Sequence, residues 1–152
     1  MASEIASSRA AKVFMLAARV VLGAVFVYAA YVKLRDPWQL FAMSIDSYRI
    51  LPLNLVEIAA RVIPWMELAI GVLLIAGIWL RVSGTIVSLL LLTFFGLMVR
   101  AYAQGMEISC GCFGPGEVIS WKTLLRDGAL VATALAMTWL AFLNHRHKKS
   151  TA

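Results

Sequence analysis

Charge is scarce in this chain of 152 residues, at 14% Asp, Glu, Lys and Arg against the ~25% usual for soluble domains. Polar surface on that scale cannot cover a globule in water. Histidine occurs only twice, in the C-terminal run His145-Arg146-His147-Lys148-Lys149, and cysteine only twice, at Cys110 and Cys112. With no histidine or further cysteine near that pair, the four ligands of a structural zinc site are missing. Internal repeats and low-complexity tracts are absent, which excludes solenoids and long flexible linkers. The formal charge of +6 is gathered at the termini and beside apolar runs, with no basic recognition face interleaved with aromatics, so nucleic acid is excluded as a partner.

What the chain has instead is apolar length: 62% of it is hydrophobic. A spanning helix needs about 20 mostly apolar residues. Four runs meet that need: Val13 to Val32, Pro64 to Leu80, Val82 to Ala103, and Leu124 to Leu143. The second and third are joined by a turn around Arg81 and form an antiparallel hairpin. Val27-Tyr28-Ala29 resembles a small-residue cleavage site, but the first run exceeds the ~7–15 apolar residues of a signal peptide and is read as a retained span. The expected fold is an all-α integral membrane four-helix bundle. Residues 13–143 form the membrane domain, 1–12 an N-terminal tail and 144–152 a basic C-terminal tail, with the lipid bilayer as solvent.

Local signals refine this outline. Asp36-Pro37-Trp38-Gln39 reads as a helix start with Asp36 as N-cap. Trp38, Phe41, Ile45 and Tyr48 then recur at helical spacing, predicting a short interfacial helix between spans 1 and 2. Asn54 to Glu57 reads as a second capping pattern, and Pro64 predicts a kink or break where that helix meets the span. Gly105 is expected to end the third span and Ser120 to cap the fourth. Arg19 is expected to snorkel to the membrane surface, and Tyr28, Tyr31, Trp38, Trp65, Trp79 and Trp121 to form aromatic belts. His145 and His147 read as solvated anchors.

The fourteen Lys and Arg residues divide evenly between the two sides, so orientation rests on two weaker signs. Basic residues at the termini are almost unaccompanied by acids, and a close cysteine pair suits an oxidising compartment. Both termini are therefore expected in the cytoplasm, with the cysteine loop outside.

The candidate chemistry is concentrated in Cys110-Gly111-Cys112-Phe113-Gly114. A bridge needs Cα atoms roughly 4.4–6.8 Å apart, which residues two apart reach only in a bent chain, and Gly111 supplies the bend. Gly114, Pro115 and Gly116 keep the loop turned. So small a ring is strained, and strained disulfides are the labile, exchanging kind. Three readings stay open: a redox-active pair, a two-thiolate site for Cu(I) or another soft metal assisted by Met98 or Met106, and a static brace. Glu67, inside the second span, should face the bundle interior and have a partner. Lys33, Arg61, Arg100 and Arg126 are the candidates. Glu67 and Arg100 are also candidates for the rim of a quinone pocket beneath the cysteine loop, with an ion pair fixing helix register as the structural alternative. Glu117 reads as an exposed loop residue.

Lys33-Leu34-Arg35-Asp36-Pro37, Tyr48-Arg49-Ile50-Leu51-Pro52, Pro64-Trp65-Met66-Glu67-Leu68 and the cysteine motif together resemble the MauE family, a branch of the DoxX-like membrane proteins. The resemblance covers residues 13–143. It implies a bacterial inner-membrane protein that assists maturation of the disulfide-rich small subunit of methylamine dehydrogenase alongside a thioredoxin-like partner. It assigns the redox pair to Cys110 and Cys112 and gives Glu67 no role. DoxX relatives imply a link to quinone. The function expected is a thiol–disulfide oxidoreductase exchanging disulfides with an exported cysteine-containing protein. A soft-metal carrier and a non-catalytic assembly factor are the alternatives.

Overall fold

The computed structural model describes residues 9–113 and 117–150, with side chains described as far as residue 143. Among the described residues five helices follow in order: α1 (Arg9–Arg35), α2 (Trp38–Asp46), α3 (Leu53–Ala76), α4 (Leu80–Ala103) and α5 (Trp121–Ser150). Four of them are long and apolar enough to cross a bilayer, and α2 is the short helix between the first two spans. The chain is a multi-pass membrane protein. Leu53, Val72, Trp79, Trp139 and many other large apolar side chains face outward, as expected where the surroundings are lipid.

Between such helices lipid removes the hydrophobic driving force, and close packing and hydrogen bonds take over. Gly23 of α1 and Gly71 of α3 show this directly. A Cβ on Gly23 would sit 2.8 Å from the Gly71 carbonyl oxygen, and one on Gly71 would sit 2.9 Å from that of Gly23. The helices therefore cross backbone to backbone. Ser88 and Thr138 share a 3.1 Å hydrogen bond between α4 and α5. Leu22, Phe26, Leu74, Val87, Ala134 and Met137 fill the centre.

Several boundaries differ from the sequence reading. The second span is α3, which begins at Leu53, passes through Pro64 without a break and ends at Ala76. Proline is tolerated inside spanning helices because neighbouring helices support the freed backbone groups, and Pro64 is itself buried. The turn lies at Gly77–Trp79, and Arg81 belongs to the first turn of α4. Gly77, left-handed at φ 75°, closes α3 in a Schellman motif with Gly77 N–H to Leu74 O and Ile78 N–H to Leu73 O, both 3.1 Å. The Arg19 side chain reaches this turn at the ends of two spans, with its Nε buried.

Asp36 is not the cap of α2. Its N–H still bonds the Val32 carbonyl at 3.4 Å, so it completes α1, and Pro37 holds the cap position without a side-chain bond. Asn54 likewise falls inside the first turn of α3, because Pro52 offers its carbonyl to the N–H groups of Leu55 and Val56. The apolar stripe of α2 packs inward, with Phe41 and Ile45 against Val56 and Ala60 of α3. At the other two boundaries the signals hold. Gly105 follows α4 at φ 67°. Ser120 Oγ accepts from Thr123 N–H at 3.4 Å while Thr123 Oγ1 accepts from Ser120 N–H at 2.7 Å, capping α5 reciprocally.

Candidate functional site

The segment between α4 and α5 is a narrow hairpin. Ser109 and Val118 form an antiparallel bridge, Ile119 N–H bonds Ile108 O at 3.1 Å, and Cys110 N–H bonds Glu117 O at 2.9 Å. This register sets Glu117 directly across from Cys110, where opposed side chains meet on one face. Gly114, Pro115 and Gly116, the expected turn, lie outside the described residues, as do the side chains of His145 and His147.

Gly111 gives the motif its bend at φ 70°, a region that costs any other residue energy. Its missing side chain also admits α2, since a Cβ there would fall 2.9 Å from Ser44 Cβ. Both cysteines are free thiols, and their surroundings differ. Cys110 is 1% exposed and packs among Tyr48, Met98, Ala101 and Ile119; Cys112 is half-buried. The Cys110 carbonyl accepts from the Tyr48 hydroxyl at 3.2 Å and weakly from the Cys112 thiol at 3.7 Å. The Cys110 thiol itself points at Glu117, with Sγ 3.4 Å from Oε2.

These contacts split the two acidities. A hydrogen bond from the Cys112 side chain lowers the Cys110 thiol below its ordinary value, against the opposing pull of burial and of Glu117. Cys112, as the donor, is pushed up by the same bond, then by burial and by the nearby Cys110 and Asp127 charges. Burial, reinforced by the two sulfurs, keeps the Tyr48 phenol protonated well above its usual range.

Arg126 ties the hairpin to α5. Its Nη1 holds Glu117 Oε1 at 2.5 Å, its Nε holds Asp127 Oδ1 at 2.9 Å, and its guanidinium stacks 4.5 Å from the Phe113 ring centre. Phe113 also meets Tyr28 of α1, with ring centres 6.3 Å apart. Glu117 is therefore no bare loop acid.

Beneath the hairpin lies a cavity of about 40 Å³, walled by Phe94, Phe95 and Leu130 and reached by Cys112, Lys33, Glu67 and Asp127. Glu67 is buried with Lys33 as its partner. The other candidates are elsewhere: Arg61 pairs with Glu57, Arg126 with Glu117 and Asp127, and Arg100 is exposed, lining a separate hollow with Tyr48 and Gln104. The structure thus brings Cys112 and Glu67 to one cavity and leaves Arg100 outside it. That volume suits a few waters and is too small for a quinone ring. Among the described residues, no group of three or more His, Cys, Asp or Glu side chains is arranged to hold a metal.

Residues 11–140 match the family described as methylamine utilisation protein MauE. The chain belongs to the MauE family. Two MauE relatives are the methylamine utilization protein MauE of Paracoccus denitrificans, 32% identical over 124 residues, and that of Methylorubrum extorquens (strain AM1), 30% identical over 115 residues. The matches cover 80% and 74% of this chain, but only 66% and 61% of the respective relatives. No solved structure matches the chain. The MauE match spans all four apolar helices and the cysteine hairpin.

Glu117 and Asp127 are the site residues that sequence reasoning passed over as partners. A signal existed for the first: Glu107-Ile108-Ser109 and Val118-Ile119-Ser120 flank a Gly-Pro-Gly turn, the pattern of a short hairpin. Pairing them in register places Glu117 opposite Cys110.

Proposed function

We propose that this protein exchanges disulfides with an exported cysteine-containing protein, of a thioredoxin-like or substrate kind, in methylamine utilisation at the outer face of the bacterial inner membrane. The observation that carries the reading is the asymmetry of the pair across a glycine bend: Cys110 is buried with its thiol on Glu117, while Cys112 is only half-buried. In the oxidised form a partner thiolate attacks Cys112 Sγ. The Cys110–Cys112 bond breaks, a Cys112–partner bond forms, and Cys110 leaves as thiolate with the electron pair of the broken bond. A second partner thiolate then attacks the partner's own sulfur in that bond and releases Cys112. The partner has lost two electrons to the pair. A disulfide-bearing redox protein restores the bridge by the same steps in reverse, so one geometry serves either direction of flow.

The cavity beneath Cys112, at about 40 Å³, is too small for a quinone ring. Orientation follows from the unaccompanied basic termini and from the needs of an exported partner. The test is anaerobic purification followed by thiol counting, metal analysis and labelling of intact cells with a membrane-impermeant maleimide. Two thiols that cycle with a dithiol reductant, labelled from outside, are expected. Stoichiometric copper would replace the reading with a soft-metal carrier, and labelling only after lysis would overturn the orientation.

A further inference from the structure

Exchange requires Cys110 to shed and regain a proton, yet this residue is 1% exposed. The hairpin register sets one carboxylate against it. Glu117 Oε2 lies 3.4 Å from Cys110 Sγ, while the Cys110 N–H to Glu117 O bond holds the two residues at 2.9 Å through their backbones. Arg126 fixes how the carboxylate is turned: Nη1 takes Oε1 at 2.5 Å, and the contact of Nη2 with Oε2 is longer, at 3.4 Å. One oxygen is thus committed to the guanidinium and the other faces the thiol. The Glu117 side chain is 34% exposed, so it joins the buried sulfur to solvent.

We infer that Glu117 is a catalytic residue of the exchange, taking the Cys110 proton when that sulfur attacks and returning one when it departs, with Arg126 as the residue that positions it. The inference rests on the exchange reading above. When a mixed disulfide on Cys112 is resolved, the Cys110 S–H bond breaks and its proton passes to Glu117 Oε2. The Cys110–Cys112 bond forms, and the bound thiol leaves with the electron pair of the old bond. The remaining groups around the pair are Tyr48 from the segment after α2, Lys33 of α1 toward Cys112, and Arg126 and Asp127 of α5. From α4, Met98 and Ala101 offer Cys110 only apolar contact. Glu117 is the carboxylate that accepts from the sulfur.

The test uses the full reduced chain in lipid nanodiscs with an aromatic dipyridyl disulfide as oxidant. Mixed-disulfide formation is bimolecular and releases one thiopyridone; ring closure by Cys110 is unimolecular and releases a second. In Glu117→Gln, ring closure should slow about a hundredfold at neutral pH, the scale of a positioned base, while the bimolecular phase stays unchanged. Its rate should then climb about tenfold per pH unit with the thiolate fraction, where the wild-type rate is nearly flat. Glu107→Gln, in the same loop but exposed, should behave as wild type. Identical ring closure in wild type and Glu117→Gln at every pH would overturn the inference. Should Glu117→Gln fail to fold, Glu117→Asp decides: its carboxylate is drawn back from the sulfur, and an unslowed ring closure would overturn the inference equally. A wild type that releases a single thiopyridone would instead sink the exchange reading on which all of this stands.

Discussion

Lys33 Nζ lies 2.6 Å from Glu67 Oε1 and 2.8 Å from Oε2, joining α1 to α3 with both side chains buried. Around the ammonium stand the rings of Phe41, 4.8 Å away, and Phe94, 5.9 Å away. Two residues 34 apart in sequence are thereby held in a fixed relation, and the register of α1 on α3 follows. The Gly23–Gly71 crossing allows the close approach of these helices, and the ion pair sets where along their length it is held. Because Glu67 and Lys33 both reach the cavity beneath Cys112, the same pair forms part of that cavity's wall.

Breaking this pair from one side should cost far more than removing it whole. Truncating one partner of a buried ion pair leaves an uncompensated charge, typically worth about 3–5 kcal/mol. Lys33→Met and Glu67→Leu should each lower the midpoint of thermal unfolding in detergent sharply. The double variant should recover most of the loss, because two apolar side chains then fill the same space. Single variants as stable as wild type would show that the pair is solvated and carries no register.

The unequal burial of the two sulfurs predicts which cysteine carries a trapped adduct. On the proposed exchange, a partner thiol attacks Cys112 and Cys110 resolves. Cys110→Ser should therefore accumulate a partner adduct on Cys112 that survives on a non-reducing gel, while Cys112→Ser should accumulate none; turnover should be lost in both. A metal carrier would trap neither, and a structural brace would show only reduced stability. An adduct confined to Cys112→Ser would reverse the assigned roles.

The spans were legible because about 20 consecutive apolar residues have few alternatives to a membrane helix. Their ends were less so. Pro64 reads as a breaker in water-based rules, yet in α3 it is buried in continuous helix, whereas Gly77 carried the true stop in its left-handed backbone. Cys110 and Cys112 stood out from their spacing alone, and Glu67 from its depth, but the choice of Lys33 over Arg61, Arg100 or Arg126 depends on how α1 rotates against α3, which no local pattern encodes. Glu117 was hidden for a related reason. Its importance comes from a hairpin register seven residues removed from Cys110, and a single acid in a polar loop looks the same whether or not a sulfur lies across from it.

The opposed acidities of the two thiols give a prediction in pH. In the reduced protein the hydrogen bond from Cys112 is the leading cause that lowers Cys110, while burial and Glu117 push the other way. Ultraviolet thiolate absorbance should show one thiolate forming below the ordinary thiol value of about 8.5, and the second, Cys112, forming only above it. The consequences for stability have opposite signs. Cys110, lowered on folding, contributes stability that is complete above the unfolded thiol value and is lost as pH falls through its folded value. Cys112, raised on folding, contributes stability that is complete below the unfolded value and is lost as pH rises beyond it. Cys112→Ala removes the donor and leaves burial and Glu117 in place, so the remaining thiol should titrate above the ordinary value, a reversal of direction and not a simple weakening. Glu117→Gln added to Cys112→Ala should bring it part of the way back, because the carboxylate charge is gone while burial remains. A Cys110 thiol that stays acidic in Cys112→Ala would show that its proton is governed from elsewhere, and the division of roles between the two sulfurs would fall with it.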